Sequence, residues 1–166
     1  YILFLNAGDR LHAADTLSRV AKAAADRPGV IYGHTDIVDE EGHFVRQRRL
    51  APPERLGWKS FRQGMLVCHQ AFFARLDLAR RHPYNRAYRF SADFDWCIRV
   101  MREAHKQKLP LRNARLTVAD YLEEGLTTRN HRASLLERFR IMGRHYGWLS
   151  TLAMHGWFVV RSVLQK

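Results

Sequence analysis

A run of five apolar residues, Tyr1–Leu5, stops abruptly at Asn6-Ala7-Gly8-Asp9. A short continuous apolar run closed by turn-forming residues predicts a fully buried strand that delivers polar side chains at its C-terminal end. From Ala13 to Asp26 the chain is alanine-rich, and Leu17, Val20, Ala21 and Ala24 recur at helical spacing. Pro28-Gly29 stops that helix, and Val30–Val38 is rich in strand-forming residues. Strand, helix and strand in succession predict an α/β fold with a Rossmann-like sheet flanked by helices. In open sheets of this class ligands bind at the C-terminal ends of the strands, where Asn6 to Asp9 would lie.

The remaining segments extend this pattern. Asp39-Glu40-Glu41-Gly42 reads as a turn, with His43–Arg49 returning as the second strand of a hairpin. Pro52-Pro53 opens a loop-rich stretch. Met65–Phe73 reads as a strand around Cys68-His69-Gln70. Leu76–Arg81 reads as a short helix before Pro83, and Asp93–Lys106 as a longer one. The longer helix has an apolar stripe of Phe94, Trp96, Cys97, Val100 and Met101, with Ser91 placed as its N-cap. Leu109–Leu122 contains a strand, and Arg132–Tyr146 is a basic amphipathic helix ending at Gly147. Trp148–Leu164 is apolar but interrupted by Ser150, Thr151, His155, Gly156 and Arg161. It reads as an amphipathic helix that either caps the core or lies on a membrane surface. The expected division is therefore a domain over 1–147 and a C-terminal helix over 148–166. Residue 1 is Tyr and lies inside the apolar run, so the chain is expected to begin within a larger protein.

Length and charge narrow the classes of function. The chain has 166 residues, 46% hydrophobic and 27% charged, as expected of one globular domain with a substantial core. Its net charge of +12 points to an anionic partner. That charge is uneven: residues 1–45 carry four basic and seven acidic side chains, so the positive excess lies beyond them. Zinc-finger spacing, an RNP-like aromatic strand and a helix-turn-helix signature are all missing, which argues against a specific nucleic-acid module. The sequence also lacks a phosphate-binding P-loop, a nucleophile elbow and a zincin His pair. Cys68 and Cys97 read as core thiols.

Three short motifs carry the chemistry that remains. In Asn6-Ala7-Gly8-Asp9, a carboxylate at the end of a strand can hold Mg²⁺ or Mn²⁺ against a diphosphate, and Gly8 allows a close backbone approach. The competing reading is an Asx turn without a ligand. In Cys68-His69-Gln70, His69 and Gln70 offer groups for phosphate, sugar or acceptor hydroxyls; otherwise His69 is a satisfied structural histidine. In Ser91-Ala92-Asp93-Phe94-Asp95-Trp96, the first helical turn keeps carboxylates ionised, and an ionised carboxylate can act as a general base. Asp93 and Asp95 stand at i and i+2 and face different ways, so only one is expected to reach a substrate.

In this order and spacing the motifs resemble the family-2 glycosyltransferases of bacterial polysaccharide and lipopolysaccharide assembly. Asn6-Ala7-Gly8-Asp9 stands in the place of the family's D-x-D motif. Tyr32-Gly33 followed by Asp36 resembles its Tyr-Gly-Asp strand, and Cys68-His69-Gln70-Ala71 its Cys-His-Gln block. Tyr84, Tyr88 and Ser91 to Asp95 resemble the stretch that begins the catalytic helix. Gly125-Leu126-Thr127-Thr128 with Glu137 resembles the tail.

The resemblance implies a GT-A fold that lacks part of the N-terminal nucleotide-binding half. It implies inverting, hexosyltransferase-like transfer from a UDP- or GDP-sugar to a glycan or lipid-linked acceptor. Asp9 is then the ligand of Mn²⁺ or Mg²⁺, Asp93 the base, and Asn6, Gly8, His69 and Gln70 the donor-binding residues. Asp95, Asp36 and His131 are further candidates. The expected location is the cytoplasm, peripheral on the inner face of a bacterial plasma membrane. The alternative is a truncated, catalytically inactive fold that serves as a binding module. Asn6 in place of the first D-x-D aspartate, and Ala92 where many relatives have Glu, depart from the family pattern.

Overall fold

The computed structural model describes residues 1–123 and 131–164, the side chains of 131, 159 and 161–164 aside. In chain order the elements are β1 (Arg10–Leu11), α1 (Thr16–Lys22), β2 (Val30–Val38) and β3 (Phe44–Gln47), then 3₁₀ turns at Trp58–Gln63 and His69–Ala71. There follow β4 (Phe72–Ala74), α2 (Leu76–Arg81), α3 (Ala92–Lys106), β5 (Leu111–Leu122), α4 (His131–Tyr146) and α5 (Trp148–Leu164).

The strands form one mixed open sheet flanked by helices, the Rossmann-like α/β class expected for a GT-A-type fold. Its order is β1-β5-β2-β3, and β4 also pairs with β2. β2 and β5 run parallel at the centre, and every other pairing is antiparallel. Alternation along β2 decides which layer each residue feeds. Val30 and Tyr32 enter the larger core with Phe61, Val67, Phe72 and the α3 residues Phe94, Trp96 and Met101. Ile31 faces the other way, onto Phe73, Val118 and Val20 of α1. The parallel strands approach closely at Gly33, where a Cβ would meet the Leu116 carbonyl oxygen at 2.5 Å.

Four local expectations differ from the structure. Tyr1–Leu5 is not a buried strand. It makes one antiparallel bridge, Ile2 to Ala74, and Tyr1 and Leu5 are 46% and 40% exposed. Pairing on one side only, at one residue, leaves the rest of the run half-exposed. Phe4 still anchors it, edge-on to Tyr84 and Trp96 at 5.3 Å.

Met65–Phe73 is not one strand either. Ala71 N–H donates to the Cys68 carbonyl at 2.9 Å and closes a 3₁₀ turn, so pairing begins only at Phe72. The first helix is shorter than its alanine-rich pattern. After Lys22 the Ala23 and Ala24 N–H groups reach back only three residues, and Arg27 takes φ 50°. Ser91 stands at the N-cap position of α3, but its hydroxyl bonds Ser134 of α4 instead. The Glu137 carboxylate accepts the Arg89, Phe90 and Ser91 N–H groups at 2.8–2.9 Å and ties α4 to the start of α3.

α5 docks one face on the larger core through Met154 and Phe158. Gly125 to Thr128 and the side chains of His131 and Arg161, singled out in the sequence, lie outside the described residues.

Candidate functional site

The three motifs, far apart in sequence, meet at one place. The Asn6 to Asp9 segment turns on itself, with Asp9 N–H donating to the Asn6 carbonyl at 3.1 Å. Gly8 takes φ 91°, a backbone conformation that favours glycine, and lies close to the Leu122 side chain. Asp9 is thereby held against the end of β5, where its Oδ1 accepts the Leu122 N–H at 3.1 Å. Its Oδ2 accepts the Gln70 side-chain amide at 2.7 Å. Gln70 is fully buried, and its amide oxygen accepts the Cys68 thiol at 2.6 Å.

His69 spans the other two motifs. Its Nε2 lies 3.4 Å from Asn6 Oδ1, and its Nδ1 lies 3.0 Å from Asp93 Oδ2. The 3₁₀ turn makes this possible. On the expected strand, His69 and Gln70 would point to opposite faces; on the turn they serve Asp93 and Asp9 side by side. Asp93 Oδ1 accepts the Phe94 N–H at 2.8 Å. Burial pushes the Asp93 carboxyl up. The His69 ring, the Phe94 N–H and the Arg138 charge outweigh that effect and hold it below the ordinary carboxylate value.

Two arginines that the motifs did not point to complete the site. Arg138 of α4 stacks over Phe94 at 5.9 Å, and its Nε is buried without a hydrogen-bond partner among the described residues. Burial lowers its basicity, while Asp93 opposes that effect. Arg48 follows β3 and is fixed through the Met65 carbonyl at 3.1 Å. Only the positive excess beyond residue 45 hinted at either. Burial also raises both cysteine thiols, as expected of core residues.

Two lower-ranked candidates stand elsewhere. Asp95 is 4% exposed and engaged by Arg99 at 2.7 Å and His145 at 2.8 Å, so it ties α3 to α4. Asp36 sits in the β2–β3 ladder opposite Gln47, and among the described residues no hydrogen bond or ion pair links it to Asp9 or Asp93. At the β2–β3 turn, Asp39, Glu41 and His43 bring one ligand atom each within 4.8 Å of one another, an arrangement that can hold a metal. This group is largely exposed, and Asp39 also fixes the turn by accepting the His43 N–H at 2.7 Å.

Asp9 itself suits a hard divalent ion held through a single protein carboxylate. Each oxygen has one hydrogen bond and keeps a second lone pair, and Mg²⁺ or Mn²⁺ takes most of its remaining ligands from phosphate and water.

No family model matches the chain. It is 35% identical over 128 residues to proteins named "PGL/p-HBAD biosynthesis glycosyltransferase" from Mycobacterium bovis and Mycobacterium tuberculosis. The match covers 75% of this chain and 46% of each relative, so the chain spans just under half the length of the proteins it resembles.

Proposed function

We propose that this chain carries the catalytic centre of a glycosyltransferase. The observation behind this reading is the convergence of Asp9, His69, Gln70 and Asp93 on one edge of an α/β sheet, in a chain similar to proteins bearing that name. Within the reading, the enzyme is of the family-2, GT-A type, and transfer is inverting. A hexose is the expected sugar, drawn from a UDP- or GDP-sugar. The acceptor is a hydroxyl of a glycan or lipid-linked sugar.

Asn6, Gly8, His69 and Gln70 face the donor. Asp9 holds Mg²⁺ or Mn²⁺, which when bound stabilises the departing diphosphate as a Lewis acid. Asp93 is the general base that deprotonates the acceptor hydroxyl. The acceptor oxygen then attacks the anomeric carbon through a transition state of oxocarbenium character. The protein works at the inner surface of a bacterial plasma membrane, held there by α5.

Transfer assays on the active protein test this reading. Asp93→Asn is expected to lower kcat by about 100-fold or more, the scale of a lost acid–base group, with an unchanged circular dichroism spectrum. Near-full activity in the variant would overturn the role of Asp93. Calorimetry that finds no UDP- or GDP-sugar binding at millimolar donor would favour a non-catalytic binding module.

A further inference from the structure

Gln70 stands on the donor side of the site but is fully buried, so it reaches a sugar donor only through a neighbour. Both ends of its amide are already spent. In the ionised form that binds a cation, a carboxylate only accepts hydrogen bonds. The amide therefore turns its nitrogen to Asp9 Oδ2, at 2.7 Å. Reversed, it would set oxygen against oxygen. Its own oxygen is left facing Cys68, whose thiol donates to it. Burial raises that thiol, which keeps the proton on sulfur.

The other Asp9 oxygen is held from a different element. Oδ1 accepts the Leu122 N–H at the end of β5, at 3.1 Å. With one hydrogen bond on each oxygen, the carboxylate cannot rotate about its Cβ–Cγ bond without losing both. The lone pairs that remain have fixed directions. Asn6 stands at the other end of the turn, so Asp9 is the single carboxylate of this motif. A cation there depends on how that one group is oriented. Hydrogen-bond partners of a metal ligand set its orientation and basicity.

We propose that Gln70, itself set by the Cys68 thiol, is a positioning residue that fixes the Asp9 carboxylate for a divalent cation. This rests on the reading of Asp9 as the ion site for glycosyl transfer.

Mn²⁺ titration of the intact protein, read by electron paramagnetic resonance, tests the proposal without turnover. Gln70→Leu fills similar space but cannot donate a hydrogen bond. It is expected to weaken Mn²⁺ binding about 10- to 100-fold, the scale of a metal ligand's lost hydrogen-bond partner. Cys68→Ser keeps a hydrogen-bond donor and is expected to bind Mn²⁺ as the parent does. Cys68→Val keeps the bulk without the donor and is expected to bind it more weakly. A thiol that served packing alone would make Val the milder change and Ser the harsher one.

Gln70→Leu with the parent's Mn²⁺ affinity overturns the proposal, and so does Cys68→Val matching Cys68→Ser. If Gln70→Leu does not fold, the two Cys68 variants decide. Either result in a protein that transfers sugar leaves the transfer reading intact. A parent that binds no Mn²⁺, or binds it equally well with Asp9→Ala, overturns the ion site and the positioning role together. A parent whose Mn²⁺ binding depends on Gln70, but which transfers no sugar from a UDP- or GDP-sugar, overturns the transfer reading and leaves the positioning role standing.

Discussion

Asp93 and Asp95 are separated by one residue, yet the fold gives them different work. Asp93 faces the gathered motifs through His69. Asp95 turns the other way, into Arg99 and His145 at the α3–α4 junction. Burial pushes the Asp95 carboxyl up, but those two partners bring it below its ordinary value. A carboxyl held low in the folded state stabilises the fold at pH above its unfolded value of about 4. That contribution is lost as pH falls through the folded value. Asp95→Asn is therefore expected to cost about 3 kcal/mol at pH 7, the scale of a broken buried ion pair. It should also flatten the decline in stability below about pH 4. Urea unfolding at several pH values measures both. A variant as stable as the parent at pH 7 would show that Asp95 does not tie the two helices together.

α5 shows what one element leaves uncovered. Met154 and Phe158 dock on the core. The opposite stripe is exposed: Trp148 at 52%, Leu149 at 86%, Leu152 at 56%, Trp157 at 54% and Val160 at 48%. These positions lie on the half of the helix turned away from Met154 and Phe158. α4 alongside presents exposed Arg140 and Arg144. Among the described residues no helix is long and apolar enough to cross a membrane. An apolar stripe with tryptophans beside basic side chains suits the headgroup region of an anionic bilayer. The chain is expected to co-sediment with vesicles containing phosphatidylglycerol, and less so at high salt. Leu149→Asp with Trp157→Asp should abolish the effect. Unchanged co-sedimentation of the double variant would remove α5 as the membrane contact.

At the scale of the whole molecule, charge separates the two parts of the proposed chemistry. The acidic first 45 residues hold Asp9, and the basic remainder holds Arg48 and Arg138. A divalent ion at Asp9 and these two guanidinium groups would both meet a diphosphate. Transfer is expected to fall in EDTA and to return with Mn²⁺ or Mg²⁺. Asp9→Ala should lose that metal response without unfolding the sheet. Full turnover in chelator would exclude Asp9 as an ion site for the reaction.

The sequence by itself determined the α/β class, because apolar runs, helical periods and Gly/Pro breaks are local signals. The limits of α2, the α3 stripe and the β2–β3 hairpin follow from such signals, as does the divergence of Asp93 from Asp95. Tertiary structure decided what depends on neighbours distant in the chain. Tyr1–Leu5 reads as a buried strand, yet how much of it pairs depends on what lies beside it, and here only Ile2 finds a partner. The Cys68 to Ala71 segment reads as a strand, yet it closes into a turn whose His69 and Gln70 link Asp93 and Asp9. Arg138 carries no motif, and only the packing of α4 against α3 brings it to Asp93. Periodicity reports which face of an element is buried; which charge a buried side chain meets is settled when the layers pack.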